Sequence, residues 1–149
     1  MKLTTFAFLI LPLLLGNTAF GQGKKELSNV QIVKKFFEGM NDPAKIQVSL
    51  DLLTEDYAFK NPLVELKSKV EFIALAGEIG KVVTGVNLKH IAENDQDEVV
   101  VLYEFTSSLP GMESNFATEW FWLKDGKIIA SHMIYDTTEW RKVYAQMEN

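Results

Sequence analysis

The chain contains no cysteine, which removes disulfides, thiolate metal sites and a cysteine nucleophile together. Its stability must therefore come from core burial. Histidine is scarce: there are two, with no HExxH or paired-His spacing, so no metal site is expected. No Gly-rich phosphate loop and no G-x-S-x-G elbow occurs, so no cofactor is expected either. A basic stripe is also missing. With 15 Lys and Arg against 20 Asp and Glu, the net charge of −5 suits solubility and makes nucleic acid an improbable partner. The long apolar stretch, from Phe6 to Leu15, is about ten residues broken by Pro12, well short of the ~20 that cross a bilayer.

That stretch follows Lys2 and leads to Ala19 and Gly21 on either side of Phe20, the charged, apolar and small-residue order of a secretory signal peptide. We expect residues 1–21 to be a signal peptide cleaved before Gln22. Residues 22–149 then form a single domain, exported to the periplasm or secreted, with no membrane attachment after cleavage.

Ser28 and Gln31 have capping-box spacing, and Val33, Phe36, Phe37 and Met40 recur at helical intervals, so residues 29–40 are predicted as an amphipathic helix. Asp42-Pro43 stops it and starts a short second helix that carries Ile46, Leu50 and Leu53 on one face. Tyr57 and Phe59 alternate with polar or small residues ahead of the Asn61-Pro62 turn, a brief strand. Ser68 and Glu71 open a third helix with Phe72, Ile73, Ala76 and Ile79 toward the core, and Gly80 closes it. From Val82 the period becomes two. Strands are predicted at about 85–93, 98–107, 114–124 and 127–136, followed by a final helical turn with Trp140, Val143 and Tyr144. Helices followed by a meander make an α+β arrangement with the helices on one sheet face.

Asp125-Gly126 is the strongest hairpin signal in the chain. Counting back from a two-residue turn, Trp122 faces Ile129, Trp120 faces Ser131, Thr118 faces Met133 and Phe116 faces Tyr135 on one side of the sheet. The other side receives Leu123 with Ile128, Phe121 with Ala130, Glu119 with His132, and Ala117 with Ile134. One face should meet the helices or line a cavity, and the other could meet a second subunit in a homodimer. The aromatic face, with Ser131 and Tyr135, has the composition of a small-molecule pocket, and equally of plain core. Glu119 and His132, directly opposed, would suit an acid/base pair, although cross-strand charge pairs are more commonly structural. Asp136 is a third acid/base candidate, or a cap for the helix that follows. His90, alternating with Val86 and Leu88, is expected to face inward as a hydrogen-bonded core residue.

The order of elements, the segment from Leu53 to Pro62 (LTEDYAFKNP) and the run from Lys124-Asp-Gly-Lys-Ile128 to Tyr135-Asp136 resemble the NTF2-like superfamily, SnoaL-like domains in particular. The resemblance implies a cone with a cavity: N-terminal helices packed on a curved, mainly antiparallel sheet. It also implies dimers through sheet faces, and functions ranging from isomerases, cyclases and epoxide hydrolases to binding domains. Where ketosteroid isomerases carry a general-base Asp, this chain has Asn61. Where they carry an oxyanion-binding Tyr it has Phe36, and where SnoaL-like cyclases carry a catalytic Asp it has Met133. With those three replaced, the resemblance together with the aromatic stripe implies binding of a hydrophobic small molecule, and the signal-peptide pattern makes that binding protein an exported one. Phe36, Tyr57, Phe59, Asn61, Trp120, Trp122, Ser131, Met133 and Tyr135 are the expected ligand contacts. The alternative is a lyase, isomerase or hydrolase of a hydrophobic carbonyl compound, using His132 with Glu119, or Asp136, as acid/base groups.

Overall fold

A computed structural model describes residues 27–147. The expected signal peptide and its cleavage before Gln22 lie outside the described residues. The first helix, α1 (Asn29–Met40), starts where the capping box predicts. Ser28 Oγ accepts the Gln31 N–H at 3.3 Å, and Gln31 Oε1 accepts the Ser28 N–H at 2.9 Å. Its inward face, Ile32, Val33, Phe36 and Phe37, is buried.

The second helix, α2 (Ile46–Leu50), is shorter than its apolar pattern suggested. Asp42 Oδ1 accepts the Ala44 N–H at 3.0 Å in a turn, and Lys45 stands in the cap position. Leu53 leaves this helix and instead opens strand β1 (Leu53–Lys60), where it is buried beside Ile128. Ser49 Oγ donates to the Phe36 carbonyl at 2.7 Å, bringing α2 so close to α1 that only Gly fits at position 39. A Cβ there would lie 2.0 Å from Ser49 Oγ and 2.9 Å from the Lys45 carbonyl oxygen.

β1 is a full strand where the sequence indicated a brief one, and a two-residue partner, β2 (Glu65–Leu66), was not foreseen. Asn61 makes the turn between them: its Oδ1 accepts the N–H groups of Leu63 at 2.8 Å and Val64 at 2.9 Å. Helix α3 (Lys69–Ile79) follows the Ser68 cap and ends at Gly80, as read. Strands β3 (Val83–Glu93), β4 (Val99–Ser107), β5 (Ser114–Lys124) and β6 (Lys127–Tyr135) form the antiparallel meander, and α4 (Trp140–Met147) closes the domain. The six strands lie in the order β2-β1-β6-β5-β4-β3. β1 runs parallel to β6, joining the N-terminal strand to the last one.

The pairing of β5 with β6 departs from simple alternation. The turn itself is as expected, with Asp125 and Gly126 both at positive φ, Lys124 opposite Lys127 and Leu123 opposite Ile128. One extra residue, Ile129, then bulges out, so that Trp122 pairs with Ala130, Phe121 with Ser131, Trp120 with His132 and Glu119 with Met133. The expected pairs Trp120–Ser131, Trp122–Ile129 and Glu119–His132 are therefore corrected. The cause is burial: Ile128 and Ser131, three residues apart, both point inward, which strict period-two alternation forbids. A second shift in β3, between Leu88 and His90, turns the exposed His90 to the outer face with Leu102, correcting its expected inward position.

The core is an aromatic lattice between the helices and the inner sheet face. Phe37 meets Tyr103 at 5.0 Å and Phe121 at 5.9 Å, Tyr57 meets Phe72 at 5.1 Å, and Trp140 meets Phe105 at 5.4 Å. Such pairs add about 0.5–1.5 kcal/mol each beyond area burial. Replacing Gly39 with Ala should destabilise the domain by about 1–3 kcal/mol, because α2 must move off α1 to admit the methyl group. Urea unfolding checks this, and an unchanged midpoint would mean the two helices are not held at this distance.

Candidate functional site

A cavity of about 690 Å³ lies between the helices and the concave sheet face. Phe36, Phe37 and Met40 of α1, Ile46 and Leu50 of α2, and the Phe72–Ala76 stretch of α3 supply much of its wall. Tyr103 and Phe105 of β4, Met133 and Tyr135 of β6, and Trp140 and Tyr144 of α4 supply most of the rest. Among the described residues that line it, only Lys81 and Glu119 are charged. Lys81 is exposed and forms an ion pair with Glu78.

Glu119 is 5 % exposed, and no ion pair among the described residues reaches it. Tyr103 donates its hydroxyl to Glu119 Oε2 at 2.8 Å, and the Ser131 hydroxyl donates to the same carboxyl. Behind Ser131 stands Tyr57, fully buried, with 2.6 Å between its hydroxyl and Ser131 Oγ. Burial pushes the Glu119 carboxyl up to about 7, although the Ser131 and Tyr103 hydroxyls pull it down. Tyr103 and Tyr57 are held well above the usual phenol range by burial first and by the nearby Glu119 charge second. Burial and the adjacent Tyr144 raise Tyr135 in the same direction.

The residues expected at the site divide into three groups. Phe36, Phe59, Asn61, Met133 and Tyr135 line the cavity. Tyr57 and Ser131 sit behind its wall and connect to it through Glu119. Trp120 and Trp122 do not reach it, because the bulge at Ile129 turns them to the outer face. There Trp122 Nε1 donates to Glu98 Oε1 at 2.6 Å, and Trp120 lies across from His132.

The three acid/base candidates are likewise separated. His132 shares the outer face with Trp120 and Lys60. Asp136 is exposed and caps the turn before α4, its Oδ1 accepting from the N–H and hydroxyl of Thr138 at 2.9 and 2.7 Å, which hold it below the usual carboxylate range. Glu119 alone is in the cavity. Asn61 is committed to its turn through Oδ1, while Nδ2 donates to the Tyr144 hydroxyl at 3.2 Å, leaving little of it free to orient a ligand. No group of His, Asp and Glu among the described residues is arranged to hold a metal ion.

Sequence reasoning missed the inward position of Glu119 and the contributions of Tyr103, Phe105 and Trp140. The alternation of Val99, Val101, Tyr103 and Phe105 could have revealed the β4 residues, since all four are buried. Nothing local marks Ile129 as a bulge.

Solved structures share this architecture. An NTF2-like protein of unknown function from Cytophaga hutchinsonii superposes with a TM-score of 0.64 at 16% identity, over 81% of this chain and 98% of its own. The chain has the NTF2-like fold. A proposed polyketide cyclase from Pseudomonas putida, of the SnoaL-like kind the sequence resembles, superposes at 0.61 with 18% identity, over 78% of this chain and 97% of its own. A de novo designed protein with a curved β-sheet reaches 0.67 at 12% identity, over 80% of this chain and 95% of its own. No protein-family model matches the chain, and neither does any curated protein sequence.

The position of Glu119 within the NTF2-like cone gives a stability signature. Its carboxyl titrates near 7 when folded and near 4.5 when exposed, so the folded chain retains a proton that the unfolded chain has already released. That contribution is complete below about 4.5 and is lost as the pH rises through 7. Glu119→Gln should therefore become progressively more stable than the parent between pH 5 and 8, by about 2–3 kcal/mol in total. Parallel melting curves across that range measure it. A constant gap between the two proteins would show that the carboxyl titrates normally.

Proposed function

We propose that this chain is an exported small-molecule-binding protein whose NTF2-like cavity takes a largely apolar ligand. The observation that carries the reading is the cavity itself. Its volume of about 690 Å³ falls within the range of about 300–1,000 Å³ typical of small-molecule sites. Its wall is aromatic and aliphatic with a few polar groups, the composition that holds a drug-sized ligand by burial and orients it by one or two hydrogen bonds. Three positions that carry catalytic groups in the enzymes it resembles hold Phe36, Asn61 and Met133 here, and all three line the cavity without supplying an ionisable side chain. Export rests on the order of charged, apolar and small residues in 1–21.

A second reading, a lyase, isomerase or hydrolase of a hydrophobic carbonyl compound, is favoured by one observation. Glu119 has a carboxyl poised near 7 inside the cavity, where a general acid or base is most effective at neutral pH. It would work without His132 and Asp136, which stand outside. Turnover lost in Glu119→Gln and retained in His132→Gln would favour this reading over simple binding.

The binding reading is tested by a melting-temperature screen with apolar and aromatic compounds. A ligand present at a hundred times its Kd adds about 2.7 kcal/mol, a shift of several degrees. Met133→Trp, which fills the cavity from β6, should abolish the shift, whereas Trp120→Phe on the outer face should leave it intact. A screen without any shift would end the proposal.

A further inference from the structure

A carboxylate buried in an apolar wall is costly unless a positive charge meets it, and among the described residues none supplies one to Glu119. Every group facing it is neutral. β4 contributes the Tyr103 hydroxyl, β6 contributes Ser131, and β1 contributes Tyr57 through Ser131, while Tyr135 and the rings of Phe36 and Phe37 line the same cavity. Lys81, the one cation on the cavity lining, is exposed and held by Glu78.

The polar contacts of Glu119 are also directional. Tyr103 donates to it, Ser131 donates to it, and the Tyr57 hydroxyl at 2.6 Å from Ser131 is left to donate into that chain. Hydroxyls aimed at one carboxyl in this way favour its anionic form. The same cavity presents the rings of Phe36, Phe37, Phe59, Phe105, Tyr135 and Trp140. Aromatic faces attract a cation while repelling an anion, and the effect grows where water is excluded.

We propose that the ligand of this cavity is an apolar amine, bound through its ammonium group to the Glu119 carboxylate, with its hydrocarbon body among the aromatic side chains. This rests on the cavity being a ligand site and deepens that reading by naming the head group. An ammonium at Glu119 supplies the missing countercharge, and Glu119 gives up its proton to receive it. With the free carboxyl near 7, the fraction already ionised rises about tenfold between pH 6 and 8, and amine affinity should rise with it. A neutral ligand that accepts a hydrogen bond from the protonated carboxyl would show the reverse trend.

The experiment is titration calorimetry of the 22–149 protein with para-phenylbenzylamine and para-phenylbenzyl alcohol, at pH 6 and pH 8. The two probes share a body and differ in the head group. The amine should bind at least about tenfold more tightly than the alcohol at pH 8, and should lose about tenfold on going to pH 6. Glu119→Gln should abolish the amine's advantage over the alcohol and the pH dependence of amine binding. The pH series on the unmodified protein stands even if that variant misfolds. Alcohol binding at least as tight as amine binding at pH 8, or amine affinity that fails to rise between pH 6 and pH 8, would overturn the inference and leave the cavity reading standing. If neither probe binds and the wider apolar screen gives no melting shift, both readings fall together.

Discussion

One extra residue in the last hairpin determines which side chains this protein turns inward. Ile128 must be inward to pair with Leu53 of the parallel strand and to receive backbone contact from the segment before it, its N–H donating to the Leu52 carbonyl at 2.8 Å. Ser131 must also be inward, to meet Tyr57 and Glu119. A regular strand cannot satisfy both, so Ile129 bulges out and the pairing with β5 slips by one. Every residue of β5 from Trp122 back then pairs with a residue of β6 one place later than simple counting gives. The cavity gains Glu119 and the outer face receives Trp120, Trp122 and His132 as a consequence of that single insertion.

The slip leaves a carboxyl at the centre of the cone, and the surrounding hydroxyls set what it costs. Burying an ionised carboxylate without partners is prohibitive, so such a group either takes a proton or gathers donors. Here both occur in part. Tyr103 and Ser131 stabilise the anion, burial opposes it more strongly, and the balance leaves the group near 7. Tyr57 and Tyr103 stay neutral, because burial and the Glu119 charge push their own phenols up as well. A group poised in this way spends stability at neutral pH, which natural sequences retain chiefly where the group has a use.

Local signals in the sequence were legible and their long-range consequences were not. Of the predicted caps, Ser28 and Ser68 cap their helices while Asp42 yields that place to Lys45, and Asp125-Gly126 makes its turn; the signals that held depend on residues within four positions. The inward position of Ser131, Met133 and Tyr135 was also readable. Their partners were not, since the register of β5 is decided by β1, more than sixty residues earlier, through Leu53 and Ile128. His90 was misplaced for the same reason, a shift in β3 that alternation alone does not show. Phe36, Asn61 and Met133 were found through resemblance, whereas Glu119 was noticed for its chemistry and assigned to the wrong face.

The arrangement separates shape from chemistry in a way that bears on function. The cone is shared with natural proteins at 16–18% identity and with a designed one at 12%, so its outline carries no information about what it holds. At the three positions expected to supply chemistry, this chain has a phenyl ring, an amide locked into a turn and a thioether. The ionisable group has been placed instead on β5, facing hydroxyls rather than cations. A cavity whose buried carboxyl meets no counter-ion among the described residues is electrostatically incomplete whenever that carboxyl ionises, and a ligand that brings the opposite charge would complete it. Selectivity then comes from the penalty an unpaired carboxylate imposes on every ligand that brings none, more than from the apolar walls, which would accept many bodies of similar size.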